Sequence, residues 1–175
     1  MIIDLPKDPK EGNIVTRAVA EATCQLLLDV ARNGVGETTA AKGMLIVIGS
    51  EEHLKDVGYC DKDKINKFDS KDVSILDWKK AERDIKPCFM QDEALFINGK
   101  TGLIMAEKYK IDIPTRYADQ NGGTGHKSAS AVGAEGCLAM KCSEDSCVTD
   151  GTGKGELKIF SGTKEPIKVP IKEKI

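Results

Sequence analysis

The fold of this chain is decided by the stretch Gly43-Met44-Leu45-Ile46-Val47-Ile48-Gly49-Ser50-Glu51-Glu52. Its apolar residues run without interruption between two glycines, which is typical of a strand buried on both faces of a sheet. Ser50, followed by two glutamates, predicts a short helix that begins with the serine as its N-cap. A sheet with helices packed against it is therefore expected.

Helices and strands alternate on both sides of this strand. An amphipathic helix is predicted over residues 14–32, ending at the cap signal Asn33-Gly34, and a second helix over residues 76–85, stopped by Pro87. Further strands are predicted at residues 73–75, 93–97, 103–106, 136–141 and 156–160. This order predicts an α/β fold, a single-domain sandwich with a central mixed, twisted β-sheet flanked by helices.

The sequence also predicts the turns and loops that connect these helices and strands. Asn98-Gly99 predicts a tight hairpin turn over residues 98–102, because Asn-Gly supplies the positive backbone angles that such a turn requires. Residues 59–71 are polar and predict a surface loop. The tail at residues 166–172 alternates apolar and basic side chains, and is either an edge strand or a disordered end.

Composition indicates one globular domain, because the chain has 175 residues of which 40% are hydrophobic. We divide it into an N-terminal extension (1–13), the domain (14–162) and a C-terminal tail (163–175). A net charge of −2 gives no general attraction to nucleic acid, so no nucleic-acid partner is expected. The longest apolar run, residues 44–48, is too short to span a bilayer, and no signal peptide is visible, so a cytoplasmic location is expected.

The chain contains six cysteines. Free buried thiols are expected, because a chain of this size does not need a disulfide scaffold. Cys137, Cys142 and Cys147 recur every five residues, which matches no common zinc spacing.

One stretch has the features of a phosphate site: Asn121-Gly122-Gly123-Thr124-Gly125-His126-Lys127-Ser128-Ala129. Its glycines let the backbone approach an anion closely, and the first amides of the helix that follows are unpaired donors. Lys127 adds a positive charge. The alternative is a flexible surface turn with a solvated lysine.

Three short motifs follow one another along the chain: Asp92-Glu93-Ala94 at the entry to a hairpin, Gly123-Thr124-Gly125-His126-Lys127, and Ser143-Glu144 after a strand. In this order they resemble the diadenylate cyclase domain, especially its archaeal form. That family carries an Asp-Gly-Ala motif, a Gly-Thr-Arg-His-Arg motif followed by alanines, and a Ser-Glu motif. The resemblance spans residues 14–162.

The resemblance implies an enzyme that joins two ATP molecules into cyclic di-AMP, with release of two pyrophosphates and with Mg or Mn as cofactor. Each domain of the family binds one ATP and two domains face each other. A homodimer or a higher homo-oligomer is therefore implied, and a monomer should be inactive.

The resemblance also implies roles for individual residues. Asp92 would assist the attacking 3′-hydroxyl, as base or through the metal, and His126 is the second catalytic candidate. Asp92 and Glu144 are the candidate metal ligands, and Met105 and Tyr109 the candidates for the base pocket, although core packing explains their apolar character equally well. The implied nucleotide and phosphate contacts are Ala94, Gly123, Thr124, Gly125, Lys127, Ser128, Ser143 and Glu144.

The sequence departs from the family motifs at three positions. Glu93 stands in place of the glycine of the first motif, and Gly125 and Lys127 stand in place of the two arginines of the second. The chain is either a divergent active cyclase or a catalytically silent homologue that binds ATP or a cyclic dinucleotide, or regulates a partner by pairing with it. A purely structural α/β module is a third reading. In the active reading the missing cations come from other basic residues, for example Lys108, Lys110 or Arg116.

Overall fold

The computed structural model describes residues 3–10, 12–34, 43–57, 73–89, 93–109, 111, 124–142, 155–162 and 165–171, with the backbone alone at residues 108, 109, 124 and 125. The strands in chain order are β1 (Lys7–Asp8), β2 (Gly12–Asn13), β3 (Met44–Gly49), β4 (Ala94–Asn98), β5 (Ile104–Tyr109), β6 (Leu138–Cys142), β7 (Glu156–Phe160) and β8 (Ile167–Pro170). The α-helices are α1 (Arg17–Asn33), α2 (Glu51–Val57), α3 (Glu82–Ile85) and α4 (Thr124–Ala134), with 3₁₀ helices at Ile75–Asp77 and Lys86–Phe89.

Six strands form one mixed sheet in the order β5-β4-β3-β6-β7-β8. β3 and β4 run parallel, and the other neighbours run antiparallel. One face of the sheet, here called the first face, packs against α1 and the 3₁₀ helices. The opposite or second face packs against α2 and α4. The predicted α/β sandwich with a mixed sheet is thus confirmed.

The two strongest patterns in the sequence form the elements that they predict. β3 is buried along nearly its whole length, with Ile46 in the core of the first face and Val47 in that of the second. α1 begins after Thr16, whose hydroxyl accepts a hydrogen bond from the Val19 N–H at 3.2 Å, and ends at Gly34, which has a φ of 71°. The predicted helix started three residues too early, because its first apolar residues are buried ahead of the cap.

The single helix predicted over residues 76–85 is wrong. The segment is broken into a 3₁₀ turn at Ile75–Asp77 and the four-residue α3, and Pro87 lies inside the second 3₁₀ helix. Ser74 explains the first turn, because its hydroxyl accepts from the Leu76 N–H and donates to the Thr101 carbonyl. The strand predicted at residues 73–75 is reduced to one bridge between Ser74 and Leu103.

The hairpin of β4 and β5 is confirmed, but its turn differs from the prediction. The positive φ of 72° belongs to Gly102, whereas Gly99 is not in the left-handed region. Gly99 is needed for a different reason, because a Cβ there would overlap the carbonyl oxygen of Ile14. The turn docks on the start of α1, where the Thr16 N–H donates to the Gly99 carbonyl at 2.8 Å.

Both ends of the chain contribute to the described structure. Ile3 is 2% exposed within the core of the first face, and β8 pairs with β7, so the edge-strand alternative for the tail is confirmed. The domain boundaries themselves stay predictions, and the loop predicted at residues 59–71 lies outside the described residues.

The buried free thiols expected from the sequence are found at Cys24, Cys88, Cys137 and Cys142. Cys60 and Cys147 lie outside the described residues.

Candidate functional site

The strand ends from which the first and third motifs extend lie at one end of the sheet. β3 and β4 begin there, and β5 and β6 end there, because Ala94 pairs with both Leu45 and Tyr109, and Cys142 pairs with Met44. We call this the site end of the sheet. The first and third motifs thus adjoin strands that are separated by β3 alone, about 10 Å apart.

The first motif is described only in part. Ala94 is 1% exposed, and its methyl group packs on the second face in the same cluster as Ala129 and Val132 of α4. Glu93, which stands in place of the family glycine, is half-buried at the entry to β4. Asp92, the predicted catalytic carboxylate, lies outside the described residues.

The second motif forms the start of α4. The helix begins at Thr124, of which only the backbone is described, as for Gly125, and Gly123 lies outside the described residues. His126 is half-buried, and its ring meets the ring of Phe160 edge to face, with centroids 5.0 Å apart and planes at 80°. Lys127 and Ser128 are also half-buried.

α4 lies closely against β7 and points its N-terminus toward the site end. A Cβ added at Gly133 would lie 3.1 Å from the Phe160 Cβ, which is tighter than an ordinary van der Waals contact, so a larger residue there would push α4 and β7 apart. The chain reverses between α4 and β6 at Gly136, which has a φ of 93°. Since β6 ends at the site end and α4 packs along it in the opposite direction, the positive end of the helix dipole faces that end.

The third motif and the metal ligands are beyond what the structure describes. Ser143 and Glu144 follow Cys142, the buried last residue of β6, and both lie outside the described residues. Among the residues that are described, no three His, Cys, Asp or Glu side chains come together as a metal site. The candidate ligands, Asp92 and Glu144, are carboxylates, which is the donor type that Mg²⁺ and Mn²⁺ prefer.

The two base-pocket candidates are placed differently. Tyr109 pairs with Ala94 at the site end, and its side chain is not described. Met105 is 4% exposed and packs in the core of the second face together with Ala106. Two adjacent residues share this face because Phe96 pairs with Ala106 while Ile97 pairs with Ile104, which leaves Met105 as an extra residue in β5.

The register of the strands reveals charged residues that the sequence motifs did not indicate. Lys141 of β6 pairs with Leu45 on one side and with Lys158 of β7 on the other, and Lys158 pairs with Lys168 of β8. Leu45 also pairs with Ala94, so Ala94, Leu45 and the three lysines form one row that runs across neighbouring strands. The signal in the sequence was the lysine between apolar neighbours in each strand, but only the register brings the three together.

The other histidine of the chain has a structural role. The Ser50 hydroxyl accepts from the His53 N–H at 3.2 Å as the N-cap of α2, and lies 2.6 Å from His53 Nδ1. His53 Nε2 is 3.5 Å from Asp8 of β1.

A cavity of about 820 Å³ also lies away from the motifs, at the opposite end of the sheet, between the start of α1, the end of α4 and residues 161–162.

The architecture matches that of a known enzyme. The chain is similar to the crystal structure of a double mutant of DacA from Staphylococcus aureus, a diadenylate cyclase, with a TM-score of 0.51 over 86% of this chain and 85% of that chain. This chain has the fold of a diadenylate cyclase domain. The identity to DacA is 14%, so the similarity concerns the fold. Neither a protein-family model nor a curated protein sequence matches the chain. No helix within the described residues is both long and apolar enough to cross a membrane.

Proposed function

We propose that this chain is a diadenylate cyclase, which condenses two ATP molecules into cyclic di-AMP and releases two pyrophosphates. The observation that carries the proposal is the meeting of the motif-bearing strand ends at one end of a sheet with the fold of DacA. β4 begins there with Ala94, and β6 ends there one residue before Ser143. α4, which packs on the second face of the same sheet, carries His126 and Lys127 in its first turn.

The proposed chemistry is a pair of identical displacements. The 3′-hydroxyl oxygen of one ATP attacks the α-phosphorus of the other, the bond to pyrophosphate breaks, and the hydroxyl proton is accepted by Asp92. His126, Lys127 and the first backbone N–H groups of α4 bind the triphosphate and offset the charge that grows on the leaving group. Ser143 adds a hydroxyl contact, and Tyr109 is a better candidate for a base contact than the core residue Met105.

A divalent cation is part of the proposal. Asp92 and Glu144 would hold Mg²⁺ or Mn²⁺, because both supply hard carboxylate oxygens and both adjoin the site end of the sheet in sequence. When bound, such an ion offsets negative charge on the phosphate oxygens.

The reaction also requires two copies of the domain. One copy of the domain holds one ATP. The 3′-hydroxyl of that ATP attacks the α-phosphorus of a second ATP, whereas its own α-phosphorus is attacked by the 3′-hydroxyl of the second ATP. Two copies must therefore place their bound ATP molecules face to face, which a two-fold symmetric homodimer achieves. We place this catalytic unit in residues 14–162 and in the cytoplasm.

A second candidate function is a silent domain that binds ATP or a cyclic dinucleotide without turnover. Two substitutions favour it. Glu93 is half-buried at the start of β4 and adds negative charge near a polyanion, and Gly125 supplies no side-chain cation where the family has arginine.

Product analysis separates the two candidates. The purified chain is incubated with ATP and either Mg²⁺ or Mn²⁺, and the nucleotides are resolved by chromatography and mass. Cyclic di-AMP is expected from the wild type and from the control Asp77→Asn, which changes an exposed carboxylate in the 3₁₀ helix Ile75–Asp77, but not from Asp92→Asn. Unchanged ATP in every metal, with ATP binding intact, would establish the silent domain instead.

A further inference from the structure

Three lysines lie side by side across neighbouring strands of the sheet. Lys141, Lys158 and Lys168 are direct register partners on β6, β7 and β8, so adjacent Cα atoms lie about 5 Å apart. Their sequence neighbours on each strand pack in the core of the first face. Because side chains alternate along a strand, all three lysines project from the second face, the face that carries α4.

This arrangement is unfavourable for the empty protein. Like charges directly opposite each other in a sheet destabilise it. Lys141 and Lys158 are half-buried, and within the described residues no carboxylate oxygen lies within 4 Å of any of the three ammonium groups. Burial lowers the pKa of the Lys141 ammonium below its usual 10.5, and the charge of Lys158 lowers it further. Among the described residues, the row is therefore a cluster of like charges that a bound anion would stabilise.

The lysine row adjoins the candidate phosphate site on two sides. It continues the transverse row that begins with Tyr109 and Ala94 and crosses β3 at Leu45. Lys158 also lies two residues before Phe160 on the same face of β7, about 7 Å away along the strand. Phe160 is the residue on which the His126 ring rests.

We propose that Lys141 and Lys158, with Lys168 at the outer edge, form a binding site for the β- and γ-phosphates of a nucleoside triphosphate. The nucleoside part of this ligand rests on the proposed function, whereas the polyphosphate part rests on the lysine row. The row supplies cations on the face where Gly125 supplies none, and ammonium groups bind phosphate oxygens as point charges without a fixed orientation.

The extent of the row favours a compact polyanion as its ligand. The three Cα atoms span about 10 Å across the sheet, which suits a short phosphate chain rather than a nucleic-acid backbone. The net charge of the chain is −2, so the chain as a whole does not attract polyanions and any attraction for phosphate is local.

Calorimetric titration with inorganic tripolyphosphate tests the site without a nucleoside. Wild type is expected to bind, and Lys141→Met and Lys158→Met are each expected to lower the affinity about tenfold. Lys141→Arg keeps the charge and should retain binding. The control is Lys100→Met, an exposed lysine in the β4–β5 turn at the opposite end of the sheet, which should bind like the wild type.

A second readout distinguishes a binding role from a structural one. Removing one charge from the row should raise the unfolding temperature of the ligand-free protein by about 1–4 °C, because repulsion between the lysines is relieved. A purely structural lysine would lower it. A variant that binds less tightly and is at least as stable as the wild type therefore supports the site, and a folded variant with undiminished binding overturns it.

The same titrations separate this inference from the proposed function. Tripolyphosphate binding that depends on Lys141, in a protein that neither binds nor converts ATP, would support the anion site and refute the cyclase. Cyclic di-AMP formed by Lys141→Met/Lys158→Met at the wild-type rate would refute the anion site and support the cyclase. A wild type that does not bind tripolyphosphate would also overturn the site.

Discussion

At the scale of single residues, Asp92 and Lys127 have separable roles in the proposed reaction. Asp92→Asn should abolish formation of cyclic di-AMP but spare much of the ATP binding, because the amide cannot accept the hydroxyl proton. Lys127→Ala should lower the affinity for ATP about tenfold, because it removes one charge-assisted phosphate contact. Equilibrium titration with ATP and initial rates of turnover measure the two effects independently. Equal loss of binding and turnover in both variants, with the fold intact, would refute these roles.

The buried thiol of Cys137 predicts a loss of stability at alkaline pH. Burial raises its pKa from 9.0 to about 12, with smaller contributions from the charges of Asp56 and Glu135. The unfolded chain releases this proton near pH 9 while the folded protein keeps it, so stability is full below pH 9 and falls as the pH rises toward 12. The loss from this group is about 1–2 kcal/mol at pH 10.

Denaturant unfolding at pH 8 and pH 10 measures this effect. Cys137→Ala should show a smaller loss between the two pH values than the wild type, even though the variant is less stable at both. An identical loss in the two proteins would mean that the thiol ionises in the folded state as readily as in the unfolded chain.

At the scale of elements, the contact between α4 and β7 controls the second motif. An alanine at Gly133 would place its Cβ 3.1 Å from the Phe160 Cβ and 3.2 Å from the Phe160 carbonyl carbon. The sheet holds that backbone, so α4 must move, which costs about 1–3 kcal/mol and outweighs a gain in helix propensity of about 1 kcal/mol. ATP affinity should fall as well, because His126 rests on the same phenylalanine.

Urea unfolding and ATP titration of Gly133→Ala check this prediction. The matched control is Ala134→Ser, which also adds one atom to α4 but faces the cavity at the opposite end of the sheet. The control should be close to wild type in both measurements. An increase in the stability of Gly133→Ala would show that α4 does not lie as close to β7 as the glycine indicates.

The elements that were predictable from the sequence are those whose causes are local. α1 follows from its apolar period and its caps, and β3 from an uninterrupted apolar run between glycines. The helix predicted over residues 76–85 failed because Ser74 is bound to Thr101 of the distant hairpin, and no local pattern reports that contact.

The site was predictable to a smaller extent. The order of the motifs predicted which strand ends would carry it, and the register of β3, β4 and β6 brings those ends together. The lysine row was not predictable, because the pairing of Lys141 with Lys158 joins two strands that are separated by residues 143–155 of the chain. Such a register is set by packing of the whole sheet.

At the scale of the whole molecule, the proposed reaction requires two copies of the domain. The rate should therefore depend on the dimer concentration, so that activity per mole of protein rises with protein concentration below the dimer dissociation constant and levels off above it. Analytical ultracentrifugation over the same concentrations should show the dimer forming where the activity rises. Constant activity per mole across a range in which the protein is a monomer would contradict a face-to-face site.

The most direct measurement of the proposed function is the initial rate of cyclic di-AMP formation from ATP over a series of protein concentrations, with the product identified by mass. A diadenylate cyclase should form cyclic di-AMP and pyrophosphate in a ratio of one to two, with activity per mole that rises with concentration and is absent from Asp92→Asn. Recovery of ATP unchanged at every concentration and in both metals, by a protein that binds ATP and forms dimers, would contradict it.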